Sequence, residues 1–175
     1  GSEKRKIISK YDRRFKILPH SKCVECALVR HEFMLSDEQL SEYYSNSYRK
    51  DYQRVSAGPT QKHIDKRVSE AKFRLIRLKP YLRKKSKILD FGCGSGEFIE
   101  LAQTEGAITR GFEPGYTYAS YASGEKGLNV ENCGWENYTC KEKMDLVTSF
   151  HVFEHLTDPI KAFKKAVSWI AEDDL

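Results

Sequence analysis

This 175-residue chain has no uninterrupted apolar run near the roughly 18 residues that a membrane-spanning helix needs. Its first residues are basic but carry no apolar stretch of the kind that directs secretion. Cysteine is sparse and odd in number, five in all, so a framework of paired disulfides is not expected. A reduced, cytoplasmic setting fits those thiols. Internal repeats and low-complexity tracts are absent, which excludes a solenoid or a linker-like chain. What remains is ordinary globular material. Hydrophobic residues make up 39% and aromatics 12%, enough for a core, and charged residues make up 31%, enough for a soluble surface. The Gly1-Ser2 start, without methionine, reads as a cloning remnant, so further chain is expected upstream.

The net charge of +5 conceals an uneven distribution. Residues 1–87 hold 23 Lys and Arg against 10 Asp and Glu, whereas residues 88–175 hold 7 against 15. A split of this size suggests two functional halves. A basic half is either a solvated surface or a receiver of anionic partners, and charge alone does not choose between them.

Residues 5–18 alternate loosely and predict a short hairpin turning near Asp12-Arg13-Arg14. A strand is expected around Leu28-Val29 and Phe33-Met34-Leu35. Ser36 with Gln39 forms a capping-box start for a short helix leading into Tyr43, Tyr44, Tyr48 and Tyr52. After the Gly58-Pro59 break, Ile64, Val68, Ala71, Leu75 and Leu78 recur at helical spacing, predicting a helix over 61–78. Its opposite face carries Lys62, Lys66, Arg67, Lys72, Arg74 and Arg77. Beyond Lys87 strands and helices alternate. Strands are expected at 87–91, 108–113, 128–130 and 144–150, and helices at 97–105, 116–126 and 159–170. That rhythm argues for a parallel sheet with crossover helices.

The first of these strands runs into Asp90-Phe91-Gly92-Cys93-Gly94-Ser95-Gly96. Glycines at alternate positions let the backbone turn tightly and approach a ligand without a Cβ in the way. The next helix aims its positive end at the same place. Asp90 at the strand tip would repel a pyrophosphate but suits a cationic or hydroxyl-bearing ligand. Twenty-three residues on, the second strand ends in Glu113, placed to accept both hydroxyls of a ribose. The glycine pattern departs from the dinucleotide fingerprint, because position 97 is Glu.

Residues Ile88–Gly96, together with Gly111-Phe112-Glu113-Pro114 and Asp145-Leu146-Val147 through Val152-Phe153-Glu154-His155-Leu156-Thr157-Asp158-Pro159, resemble the class I S-adenosylmethionine-dependent methyltransferases. The resemblance covers about residues 61–171. It implies that Asp90, Gly92, Gly94 and Gly96 line the methionine part of the cofactor and that Glu113 holds the ribose. The family usually offers an acidic side chain to the adenine after the third strand. The corresponding Cys133-Gly134-Trp135-Glu136 makes Trp135 the expected neighbour of the base and Glu136 its polar contact. Ser149 at the end of the fourth strand and Gln61 at the start of the first helix are further cofactor candidates.

The segment Ser149-Phe150-His151-Val152-Phe153-Glu154-His155 leaves the fourth strand on the side where open sheets bind ligands. Related sugar and small-molecule methyltransferases place a Glu-His pair near the transferred methyl, so His155, Glu154 and His151 are the catalytic candidates. A histidine there can take the acceptor's proton. The alternative is that His155 braces the loop while Glu154 caps the helix, methyl transfer needing mainly alignment.

Cys23-x-x-Cys26 supplies half of a tetrahedral zinc site, with His20 and His31 as candidate completers. The run from Cys23 to Tyr52 is similar to methyltransferases carrying an N-terminal zinc ribbon, in which an earlier cysteine pair completes the site. No such pair precedes Cys23 here, and two free thiols are the alternative. Those relatives lay a tyrosine-rich segment over the cofactor, which makes Tyr48, Arg49 and Tyr52 candidate substrate contacts.

The fold expected is thus α/β. A Rossmann-like methyltransferase sheet of strands 1–4, in order 3-2-1-4 with flanking helices, occupies 59–175. A basic β/α module occupies 1–58. The function expected is methyl transfer from S-adenosylmethionine, with structural zinc as a second cofactor, to a small polar metabolite or a nucleotide-linked or polysaccharide sugar. The alternatives are an RNA methyltransferase, although a nucleic-acid partner is not favoured, and an inactive methyltransferase-like binding domain. The family's sheet has seven strands, and the sequence stops where the fifth would begin. A trimmed chain, or an oligomer or other partner covering the apolar edge of the fourth strand (Leu146, Val147, Ser149), is expected from that.

Overall fold

The computed structural model describes residues 4–12, 15–33, 36, 39, 42 and 59–171. The chain divides into two compact units, Gly1–Glu38 and Gln39–Leu175. That division falls earlier than the expected boundary between residues 58 and 59. Within the described residues of the smaller unit, β1 (Arg5–Tyr11), β2 (Ile17–Cys23) and β3 (Val29–His31) form an antiparallel sheet in that order. The first hairpin closes where turn chemistry directs it. Asp12 accepts the Lys16 amide on its side chain at 2.9 Å and the Phe15 amide on its carbonyl at 3.1 Å.

In the larger unit, α1 (Gln61–Leu78) begins on a Thr60 cap whose hydroxyl accepts the His63 amide. Its apolar row buries Ile64, Ala71 and Leu75. Lys79–Tyr81 tightens into a 3-10 turn at Pro80, and the chain then enters β4 (Lys87–Phe91). The remaining elements are α2 (Glu97–Thr104), β5 (Ile108–Phe112), α3 (Tyr116–Ser120), β6 (Val130–Glu131), β7 (Leu146–Ser149) and α4 (Pro159–Ser168). Helix α3 continues as a π-helical turn, Tyr121–Glu125. Helix α4 starts at Asp158, whose side chain accepts the Lys161 amide, with Pro159 in the first turn. The strands pair in parallel in the order β6-β5-β4-β7.

The period-two alternation of β4 divides the core between the two faces of this sheet. Ile88 packs with Ala71 and Leu75 of α1 and Phe98 and Ala102 of α2. Leu89 and Phe91 point the other way, into a cluster with Phe112, Tyr138, Ala162 and Trp169. Asp90 therefore shares the α1–α2 face with Ile88, at the end of the strand where the apolar row runs out. Beyond β7 the chain returns at Ile170 to form a parallel bridge with Met144. The Met144 amide donates to the Trp169 carbonyl at 2.8 Å, and the Ala171 amide donates to Met144 at 2.9 Å. This bridge lies ahead of β7, at Met144, and involves none of Leu146, Val147 and Ser149, the edge expected to be open.

Candidate functional site

At the C-terminal ends of β4, β5 and β7 the larger unit forms a cleft with two adjoining lobes, and Gly92 and Gly94 line both. Gly92, Gly94 and Gly96 all have positive φ, at 72°, 59° and 84°. The backbone here follows a path that side chains resist. A Cβ on Gly92 would come within 2.6 Å of Val152 Cγ2, and one on Gly96 within 2.5 Å of Leu128 Cδ1. Those two glycines are needed for packing. Gly94 differs, because a Cβ there would meet nothing within 4 Å. That side of Gly94 is open space, and Gly94 lines both lobes of the cleft.

Three carboxylates surround this turn, and all are buried: Asp90, Glu97 and Glu113. Asp90 Oδ1 accepts the Thr148 hydroxyl at 2.8 Å. Burial pushes the Asp90 carboxyl up to about 7, with Glu113 and Glu97 adding to the rise; the Thr148 hydrogen bond and the Arg74 charge oppose it. Glu97 Oε1 accepts from Ser95 Oγ at 2.6 Å. Glu113 uses both oxygens on backbone, accepting the Gly94 amide on Oε2 and the Gly115 amide on Oε1, each at 3.0 Å. An ionised carboxylate has about four lone-pair sites, so holding two backbone amides is compatible with accepting hydroxyl donors as well. Cys93, in the middle of the turn, is buried, which raises its thiol well above the ordinary value. It packs beside Gly111 and lends no nucleophile.

Helix α1 supplies the opposite wall. His63, Arg67, Ala71 and Arg74 line the first lobe, all from one helical face. Arg67 Nη1 lies 2.8 Å from Glu70 Oε2, and Arg74 Nη2 lies 3.6 Å from the same oxygen. The Arg74 guanidinium also lies 4.2 Å from the centre of the Phe150 ring. Tyr118 of α3 is buried in this lobe, edge-on to His63 at 5.5 Å. Sequence reasoning did not select Arg67, Arg74, His63, Tyr118 or Glu97 as site residues. The usable signal was the recurrence of His63, Arg67 and Arg74 beside the apolar row of α1.

Arg67 also lines the second lobe, together with Glu113, Phe150, His151 and His155. His151 takes a left-handed backbone, φ 58°, immediately after β7. Glu154 Oε1 lies between the two histidines, 3.3 Å from His151 Nδ1 and 4.0 Å from His155 Nε2. His151 and His155 thus line the lobe beside Glu113, and Glu154 stands next to both histidines without lining it. The segment is built of a bend followed by a 3-10 turn, Phe153–His155.

Trp135, Glu136, Gln61 and Ser149, the other expected cofactor contacts, are not among the residues lining the two lobes. Trp135 is packed in the core with Phe112, Tyr138 and Trp169, and Glu136 is exposed. Lys165 Nζ fixes that segment by donating to the carbonyls of Trp135 and Glu136 at 2.9 and 2.8 Å. An indole this large gains more from the apolar cluster than from a cleft wall. Gln61 is exposed, and its side-chain amide donates to Asp65 at 2.8 Å, one helical turn along. Ser149 Oγ donates to the Phe91 carbonyl at 3.3 Å, tying β7 to β4. Tyr48, Arg49 and Tyr52 lie outside the described residues. In the smaller unit, Cys23 is buried at the end of β2 and Cys26 is exposed in the following turn. Among the described residues no group of three or more His, Cys, Asp or Glu could hold a metal ion. The zinc site expected at Cys23 and Cys26, with His20 and His31 as completers, is thus without support among the described residues. His20 and His31 face each other across β2 and β3, ring centres 4.6 Å apart. No helix among the described residues is long and apolar enough to cross a membrane.

Comparison with solved structures finds the same fold in several methyltransferases. Magnesium protoporphyrin IX methyltransferase from Synechocystis PCC 6803, solved with bound S-adenosylmethionine, is 16% identical, with a TM-score of 0.58 over 78% of this chain and 73% of that one. The plantazolicin methyltransferase bound to S-adenosylhomocysteine is 16% identical, with a TM-score of 0.55 over 75% of this chain and 53% of its own. An amino pentose methyltransferase from Micromonospora echinaspora is 18% identical, with a TM-score of 0.53 over 67% of this chain and 54% of its own. The chain thus spans about half the length of two of the three. A family model described as a methyltransferase domain matches residues 61–175, and the chain accordingly belongs to the methyltransferase-domain family, with the fold of its S-adenosylmethionine-dependent members.

Proposed function

We propose that this chain binds S-adenosylmethionine across the two lobes and transfers its methyl group to a small polar acceptor, a carbohydrate among the candidates. The observation that carries the reading is the open side of Gly94, set between the buried carboxylates of Asp90 and Glu113. The donor set fits the cofactor's chemistry. Glu113 has lone pairs for ribose hydroxyls, Arg67 and Arg74 offer a carboxylate its counter-charge, and the three acids suit a cation. Bound S-adenosylmethionine supplies an electrophilic methyl on a sulfonium. The chain's part is to hold the acceptor in line with that methyl and to receive its proton. His155 is the group we assign to the proton, with Glu154 beside it to favour the imidazolium. Arg67, at the junction of the lobes, orients the reacting ends. Carbohydrate is favoured among acceptors because the second lobe is lined by the imidazoles of His151 and His155, with the Glu154 carboxylate beside them, groups suited to hydroxyls. Solved neighbours act on a porphyrin, a coclaurine-type alkaloid and an amino pentose, so the acceptor must be found by assay. Zinc forms no part of this reading.

Calorimetric titration with S-adenosylmethionine tests the cofactor half, and absence of binding refutes it. A panel of sugars, nucleotide sugars and RNA oligonucleotides, followed by mass spectrometry for a gain of one methyl, tests the acceptor half. Methylation of RNA alone would replace the carbohydrate reading.

A further inference from the structure

Phe15, in the turn between β1 and β2 of the smaller unit, has a left-handed backbone at φ 60°. The turn closes on the carbonyl and side chain of Asp12. Hairpins ordinarily give their left-handed position to glycine or asparagine, and a bulky side chain there is strained. Burial would offset that strain, but Phe15 is 89% exposed. Ile17, two residues on, is 80% exposed, and these are the two most exposed large hydrophobic residues among the described ones. Tyr11 lies directly across from Ile17 in the register and is exposed as well. The hairpin thus ends in an apolar tip of three side chains, one of them held out on a backbone it does not prefer. Strain that persists without a packing reason points to a function for the residue that carries it.

The charge around this tip is one-sided. Residues 4–24 carry eight Lys and Arg against one acid, Asp12. Asp12 Oδ1 is engaged by the Lys16 amide at 2.9 Å. Lys10 and Lys16, both exposed, neighbour the tip residues, and the two residues between Asp12 and Phe15 in the sequence are both arginine. Apolar side chains protruding from basic surroundings match the boundary of an anionic bilayer, where the tip enters the headgroup layer and the cations meet lipid phosphates. Long basic side chains reach those phosphates while their stems stay on apolar surface. A nucleic acid would satisfy the charge, but base stacking uses flat aromatic platforms, and Ile17 offers none.

We propose that the β1–β2 hairpin docks this protein on an anionic membrane surface, with Phe15, Ile17 and Tyr11 inserted among the lipid headgroups. The inserted tip gives depth, and the basic residues give the preference for anionic lipid. Three side chains alone hold weakly, so the charges supply the rest, and the attachment is reversible and weakened by salt. Cofactor binding does not enter into it.

The test is co-sedimentation of the full chain with vesicles of phosphatidylcholine alone and with vesicles in which about a third of the lipid is phosphatidylglycerol. The protein should pellet with the anionic vesicles and stay in solution with the neutral ones. Raising salt from about 0.1 M to about 0.5 M should weaken that binding by at least about tenfold. Phe15→Asn suits the left-handed backbone, so it should melt no lower than wild type while losing about tenfold or more in vesicle affinity. Phe15→Trp should shift its emission to the blue on anionic vesicles, since Trp135 and Trp169 are already buried in the core and do not contribute a change. Equal binding to both kinds of vesicle, or none to either, overturns the proposal. So does unchanged vesicle binding in Phe15→Asn, or an unshifted emission from Phe15→Trp. Binding of an RNA oligonucleotide but not of vesicles would overturn it in favour of a nucleic-acid surface. Self-association that Phe15→Asn abolishes, again without vesicle binding, would overturn it in favour of a contact between copies. All of these results leave S-adenosylmethionine binding standing.

Discussion

Glu113 accepts the backbone amide of Gly94 at 3.0 Å, so the tip of β5 holds the turn that follows β4. The other carboxylate oxygen holds the Gly115 amide, and neither oxygen is replaceable by a donor. Gln is therefore not an innocent substitute: its NH2 group would face one of two N–H groups. Glu113→Gln should lower stability by about 1–2 kcal/mol through the unpaired amide. It should also weaken S-adenosylmethionine by about 10–100-fold, since hydrogen bonds to charge contribute roughly 1.5–3 kcal/mol. Thermal melting and calorimetry on the same preparation check both. A stable variant with unchanged affinity would remove Glu113 from the cofactor site.

The glycines of the turn separate folding from binding. Ala at Gly94 meets no atom within 4 Å, so only its left-handed backbone resists, at about 1–2 kcal/mol. Its methyl projects into the cleft, and Gly94→Ala should lose cofactor affinity while still melting cooperatively. Ala at Gly92 adds a 2.6 Å clash with Val152 to the same backbone strain. Gly92→Ala should melt well below Gly94→Ala. Equal melting temperatures would refute the distinction, as would full affinity in Gly94→Ala.

His155 and His151 flank Glu154 Oε1 at the second lobe. If His155 takes the acceptor's proton, His155→Asn should lower kcat by about 100-fold, the range of a general base, with the affinity for S-adenosylmethionine within about threefold of wild type. A variant with normal kcat and a lower melting temperature would make His155 a brace for the loop. Steady-state kinetics on whichever acceptor the methylation panel identifies decides between them.

The local parts of this site were legible in the sequence because they depend on neighbours in the chain. The Asp90–Gly96 turn ends one strand and opens a helix, and Glu113 ends the next strand. The extent of α1 also followed from its apolar period, and its residues are those observed, Gln61–Leu78. The same period grouped Arg67 and Arg74 on one face without showing what that face overlooks. A charged face reads as solvated until the sheet is assembled beneath it. Trp135 illustrates the converse. Its position after the third strand suggested a wall of the adenine site, yet the Tyr138–Trp169 cluster, formed by residues more than thirty apart in sequence, draws it into the core. Glu97 counted in the sequence only as a departure from the dinucleotide fingerprint, which does not show where its carboxylate lies.

Asp90 also predicts how the empty protein responds to pH. Its carboxyl is raised from an ordinary value of 3.8 to about 7, with burial as the leading cause, so folding favours the protonated form. Its contribution to stability is fully present below about 4 and is lost as pH rises through about 7, after which no further loss follows. Asn at this position can still accept the Thr148 hydroxyl and never carries the charge. Asp90→Asn should therefore gain stability relative to wild type as pH rises from 4 to 7. The gap should level off above 8 at a few kcal/mol, since each tenfold change in proton affinity between the folded and unfolded chain corresponds to about 1.4 kcal/mol. Melting curves of both proteins without ligand, taken across pH 4–9, give that difference directly, and the other titrating groups cancel between them. A difference that stays flat across the range would mean that Asp90 is ionised in the empty cleft, with Arg74 and Thr148 together outweighing burial.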